Sequence, residues 1–224
     1  MNPVFQPYTF NNGATVPNRL AVAPMTHFAS DENGHITDQE RTFLRNRFKG
    51  FGLFITAATL VSPEGKAFTG QPYAFRDAHL PSLTETAALI KGQGAKAILQ
   101  IHHGGDRAIV DGAVSPSGTG TTRALADNDI QSLVTAFGKA AALAIDAGFD
   151  GVEIHGANGY LLQQFFSAQS NQRTDRWGGS LQNRMRFPLA VVDAVVEQKR
   201  RAGRDDFIIG YRFSPEEAGE QGLT

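Results

Sequence analysis

The chain of 224 residues contains no cysteine, which excludes disulfides, thiolate zinc sites, cysteine nucleophiles and iron–sulfur clusters within it. It has no block of one charge. The 21 basic and 22 acidic residues are scattered, for a net charge of -1, so nucleic acid and anionic membrane surfaces are poor partners. No apolar run is long enough to cross a bilayer. The start, MNPVFQPYTF, lacks the basic region and apolar stretch of a signal peptide, so the expected location is the cytoplasm. The first strand-like run, RLAVAP, is followed by MTHFASDENG, with no G-x-G-x-x-G opening a helix, which argues against a dinucleotide-binding open sheet.

What is present is an alternation of short apolar runs and helical patterns. The runs are Arg19–Pro24, Gly52–Ala58, Ala95–Ile101, Phe149–His155 and Phe207–Phe213. Each is too short for a globular helix, and most are rich in Ile, Val or Phe, as strands buried on both faces are. Between them, Thr37-Asp38-Gln39-Glu40 and Ser82-Leu83-Thr84-Glu85 both fit a helix-starting capping box. Ile130, Leu133, Val134, Phe137 and Ala141 form a stripe at helical spacing, and Leu181 to Ala202 reads as a further helix with Phe187, Val191 and Val195 along one side.

Regular strand–helix alternation predicts a parallel sheet with right-handed crossovers, and a (β/α)8 barrel is the leading architecture. Runs recur roughly every 47 residues, so eight units need roughly 370 residues, within the range of elaborated barrels. Five strands are present. We therefore expect residues 1–224 to be a single barrel domain's N-terminal part, its first five βα units, with residues 1–18 as an N-terminal capping segment.

Active sites of barrels lie at the C-terminal ends of strands. Those ends are Pro24-Met25-Thr26, Ala58, Gln100-Ile101-His102, His155-x-x-Asn158-x-Tyr160 and Arg212. Strand alternation puts Gln100 with His102 on one face and Glu153 with His155 on one face. Arg212 can stabilise a developing anion or pair with Glu153, which needs a partner if buried. His155 and Asn158 can donate two hydrogen bonds to one oxygen, and Tyr160 can deliver a proton. His102 and His103 point to opposite faces with no third ligand at suitable spacing, so no metal site is expected. Trp177-Gly178-Gly179-Ser180 reads as a turn and helix cap, and the charges of Asn171–Arg176 as bracing for a loop.

The stretch VEIHGANGYLLQQFFSAQSNQRTDRWGGS, with Asn183-Arg184, Arg186-Phe187, FQPYTFNNGATVPNRLAVAPMT, SPEGKAF and LQIHHGG, closely resembles the Old Yellow Enzyme family of FMN-dependent ene-reductases over nearly the whole chain. The resemblance implies a TIM barrel and an FMN flavoprotein that uses NADH or NADPH to reduce activated C=C bonds or nitro groups of small molecules. It places Ala23, Pro24, Met25, Thr26 and Ala58 beside the flavin ring, Gln100 at its pyrimidine edge and Arg212 near N1 and O2. His155 and Asn158 would hold the substrate oxygen, and Tyr160 would protonate the α-carbon. Apart from the resemblance, the 16 phenylalanines read mostly as core, with Phe28 and Phe165 as candidates to line the substrate pocket. Two departures stand out. His103-Gly104-Gly105-Asp106 replaces the common H-A-G-R, with Arg107 one place later, and phosphate-holding loops after seventh and eighth strands are not in this stretch. Two alternatives stay open: the N-terminal barrel of a larger enzyme resembling 2,4-dienoyl-CoA reductase or trimethylamine dehydrogenase, and a non-catalytic barrel fragment that assembles with a second copy.

Overall fold

The computed structural model describes residues 2–219 and Gly222. An N-terminal antiparallel hairpin, β1 (Tyr8–Thr9) and β2 (Thr15–Val16), precedes the main sheet. Asn12 Nδ2 donates to the Phe207 carbonyl at 3.0 Å, tying the hairpin to the entry of the last strand.

The sheet is entered at β3 (Ala21–Val22). Then follow α1 (Asp38–Leu44), β4 (Leu53–Ile55), β5 (Thr59–Leu60), α2 (Leu80–Lys91) and β6 (Lys96–His102). A two-stranded excursion, β7 (Val114–Ser115) and β8 (Arg123–Ala124), leads to α3 (Asp127–Asp146), β9 (Gly151–Gly156), α4 (Leu161–Phe166), α5 (Leu181–Arg201) and β10 (Ile208–Phe213). The order across the sheet is β3-β4-β6-β9-β10, every pairing parallel, with β5 continuing along β6 beyond the end of β4. The result is a curled, half-barrel parallel sheet with helices on its outer face.

Alternation along the strands separates two environments. Leu99 and Ile101 of β6 and Val152 and Ile154 of β9 point outward into one core with Ile130, Phe137, Phe187, Val191 and Val195 of α3 and α5. The intervening residues, Gln100, Glu153 and His155, point inward and are also buried, so polar groups must satisfy one another there. The helical stripe expected on α3 is buried at Ile130, Leu133, Phe137 and Ala141, and the three residues expected along α5 are fully buried.

The first capping motif forms in half. Thr37 Oγ1 accepts from the Glu40 N–H at 3.3 Å, but Glu40 turns inward to Ser30 and His27 instead of back to the cap. The second is corrected. α2 starts earlier, at Leu80, because Pro81 occupies its first turn, where a missing N–H costs nothing. Ser82 Oγ therefore accepts from Ile36 N–H at 2.7 Å, and Glu85 binds Arg41. The short helix α4 and both small strand pairs lack a periodicity long enough to be read in sequence.

The motif Asn171–Ser180 is a clasp. Asn171 Nδ2 donates to the Phe165 and Trp177 carbonyls, Arg173 reaches the Leu125 carbonyl at 2.6 Å, and Trp177 Nε1 donates to Asp127 at 2.7 Å. Arg176 completes the Asp127 pair. Ser180 caps α5 by accepting from Asn183 N–H. No helix among the described residues is long and apolar enough to cross a membrane.

Candidate active site

β9 ends in a tight turn that aims the site. The Ala157 carbonyl accepts from Tyr160 N–H at 3.2 Å, and the two central residues take positive φ, 58° at Asn158 and 73° at Gly159. Asn-Gly is the pair that tolerates this left-handed geometry best. The turn reverses the chain so that Tyr160 stands at the start of α4, its ring near those of His155 (5.1 Å) and His102 (4.4 Å).

Beneath these rings runs a polar belt across three strands. Register aligns Gln100 with Glu153 and Glu153 with Gly210. Gln100 Nε2 donates to Glu153 Oε1 at 2.7 Å, and Arg212 donates to the same carboxylate through Nε at 2.8 Å and Nη2 at 3.3 Å. The buried carboxylate thereby receives a cation and an amide, as its burial demands. Arg212 does pair with Glu153. One guanidinium nitrogen, Nη1, and the Gln100 Oε1 make no hydrogen bond among the described residues.

His155 is buried, and desolvation followed by the nearby Arg212 charge lowers its pKa to about 4. Its Nδ1 accepts from Ala157 N–H at 3.4 Å, so the neutral ring carries its proton on Nε2. His102 is fully buried and pushed well below its ordinary value, by desolvation first and then by its histidine neighbours. Gln71, itself wholly buried, holds His102 Nδ1 at 3.0 Å. Gln71 sits in a loop with no motif of its own, and sequence reasoning missed it. His103 faces away, accepting from Gly105 N–H, and holds the following loop. Among the described residues no three metal-ligating groups converge.

Pro24, Met25, Thr26, Ala58, Gln100, His155, Asn158, Tyr160 and Arg212 together line one cleft of about 120 Å³ at the strands' C-terminal ends. Ala23 and Phe28 lie outside that lining, and Phe165 is buried in the core. Ala23 faces a small adjoining hollow with His27 and Glu40. Phe28 is exposed, with φ 53°, and meets Phe68 edge-on at 5.6 Å. Sequence reasoning also missed the mount of the 24–26 segment. His27 Nδ1 accepts from Ala29 N–H while its Nε2 meets the buried Glu40 carboxylate at 3.1 Å, and Ser30 donates to Glu40.

A half-barrel β/α protein with its polar cleft at the carboxyl ends of parallel strands is the class that fold and site define. The chain belongs to the NADH:flavin oxidoreductase / NADH oxidase family, whose model matches residues 3–224. It is 50% identical to the probable NADH-dependent flavin oxidoreductase YqiG of Bacillus subtilis, over 99% of this chain and 62% of that protein. It is 44% identical to the NADH:fumarate oxidoreductase of Klebsiella pneumoniae, over 98% of this chain but 25% of that one. Among solved structures, the Old Yellow Enzyme from Pichia sp. AKU4542 superposes with a TM-score of 0.86 at 28% identity, covering 95% of this chain and 60% of that one. The chain thus spans less than two thirds of the length of these relatives.

Proposed function

We propose that the cleft binds FMN and that the protein uses NADH or NADPH to reduce activated C=C bonds of small molecules, enones first and nitro compounds second. The observation that carries this reading is the convergence of nine site residues on one cleft in which several polar atoms are left without protein partners. Gln100 Oε1 and Arg212 Nη1 present an acceptor and a cationic donor to a heteroatom-edged planar ring, with Thr26 and the apolar Pro24, Met25 and Ala58 beside them. That donor set fits a flavin, with Ala23 supporting the segment from behind. When bound, FMN supplies the hydride chemistry that no side chain can.

The side chains supply the rest. His155, neutral at pH 7 and protonated on Nε2, and the Asn158 amide hold the substrate's carbonyl or nitro oxygen. Two donors on that oxygen draw electron density from the double bond and stabilise charge developing there. The Tyr160 hydroxyl delivers a proton to the α-carbon. Phe28, exposed and packed edge-on against Phe68, would cover the substrate's apolar part. On this reading residues 1–224 are the N-terminal part of one barrel domain, residues 1–18 cap its lower end, and the protein is cytoplasmic.

One observation favours a second reading. The Klebsiella relative shares this stretch over only a quarter of its own length, so the named acceptor chemistry there need not lie in the shared part. On that reading the duty of the shared stretch is oxidation of the nicotinamide alone. Tyr160→Phe separates the two: double-bond reduction should fall about 100-fold or more, while flavin reduction by NAD(P)H stays near normal. Equal loss in both half-reactions rejects Tyr160 as proton donor, and a wild-type protein that oxidises NADH yet reduces no alkene supports the second reading.

A further inference from the structure

Tyr160 has a cationic neighbour that the site described above does not use. Arg107 lies in the turn after β6, and its guanidinium carbon stands 6.0 Å from the Tyr160 ring centroid. The group is laid against Gly159, where an added Cβ would come within 2.6 Å of Nη2. Glycine at 159 therefore makes room for the cation beside the two residues, Asn158 and Tyr160, that its turn presents to the cleft. Among the described residues the Arg107 side chain makes no ion pair and no hydrogen bond. The adjacent acid is committed elsewhere. Gln164 Nε2 donates to Asp106 Oδ1 at 2.6 Å and to the Gly159 carbonyl at 2.7 Å, so one buried amide fixes both flanks and holds the carboxylate away.

The cleft itself offers an anion little. None of its nine lining side chains is acidic, but Arg212 already serves Glu153, and His155 is neutral at pH 7. A charged substrate needs a free cation within reach of the turn, and a guanidinium fork matches a carboxylate.

We propose that Arg107 is an anion anchor at the rim of the cleft, pairing with one oxygen of the carboxylate of an α,β-unsaturated acid while His155 and Asn158 hold the other oxygen and the double bond lies next to Tyr160. The substrate class of the C=C-reducing reading thus extends to acids, and the inference rests on that reading.

The test compares wild type, Arg107→Gln and Arg107→Lys, all loaded with FMN and supplied with saturating NADH, on cinnamate and on methyl cinnamate. Arg107→Gln should raise the KM for the acid roughly tenfold, the scale of one hydrogen bond to a charged group, and leave that for the ester nearly unchanged. Arg107→Lys should recover most of the loss. In parallel, calorimetric titration of hydrocinnamate, which cannot be reduced, should show the same weakening in Arg107→Gln without any turnover. Equal effects on acid and ester, or unchanged hydrocinnamate binding, overturn the assignment. A rise confined to the KM for NADH also overturns it, because the anion at Arg107 is then the dinucleotide pyrophosphate. Should wild type reduce neither acid nor ester while still oxidising NADH, the C=C reading fails, and the hydrocinnamate titration still decides for or against Arg107.

Discussion

At the turn after β9, conformation and chemistry are carried by the same four residues. Asn158 and Gly159 accept positive φ so that His155 and Tyr160, on either side, face one cleft. Gly159→Ala adds a Cβ where the left-handed conformation costs about 1–2 kcal/mol and where the Arg107 guanidinium must also move. A urea titration should show at least that loss, and undiminished stability would mean that the turn relaxes to another form. The candidate side chains themselves were legible in the sequence as strand ends and as the H-x-x-N-x-Y spacing. Gln71, which fixes His102, and the His27–Glu40 pair behind Met25 and Thr26 were not, because each acts through a contact made by folding and belongs to no local pattern.

Among the elements, the long helices followed from periodicity, since an apolar stripe repeated over about two to three turns has only one way to be buried. Helix starts followed less well. Pro81 and Thr37 obey local rules, yet Ser82 and Glu40 spend their polar groups on neighbouring elements, where burial makes an unpaired donor or carboxylate more expensive than an imperfect cap. The clasp between α4 and α5 shows the same economy. Asn171 is buried and satisfies two carbonyls at once, those of Phe165 and Trp177. Asn171→Ala should therefore destabilise by about 2–4 kcal/mol, since two buried acceptors lose their donor. Thermal unfolding checks this, and a loss under about 1 kcal/mol would show that water reaches those carbonyls.

For the whole molecule, buried histidines set the response to acid. Desolvation first, and then neighbouring charge, lowers His79 and His155 to about 4 from an ordinary 6.5. Between those values the unfolded chain binds protons that the folded chain refuses, so stability is complete above about pH 6.5 and falls as pH drops toward 4. Each histidine contributes a slope of up to about 1.4 kcal/mol per pH unit in that window. His155→Gln should flatten the stability profile there without changing it above pH 7, and an unaltered profile would mean that His155 protonates in the folded state. The sheet also carries an apolar groove of about 330 Å³ between α5 and β10, lined by Met185, Leu189, Tyr211 and Phe213 among others.

The sequence by itself determined the strand–helix alternation, the parallel sheet, the inward and outward faces of β6 and β9, and the residue types gathered at the strand ends. Each of these follows from periodicity or from a motif a few residues long. Tertiary structure decided what those groups do to one another. It set Glu153 between Gln100 and Arg212, drained the charge from His155 by burial, and left Arg107 beside Tyr160 without a side-chain partner among the described residues. Those outcomes depend on desolvation and on distances between residues up to 59 positions apart in the chain, and no local pattern encodes either.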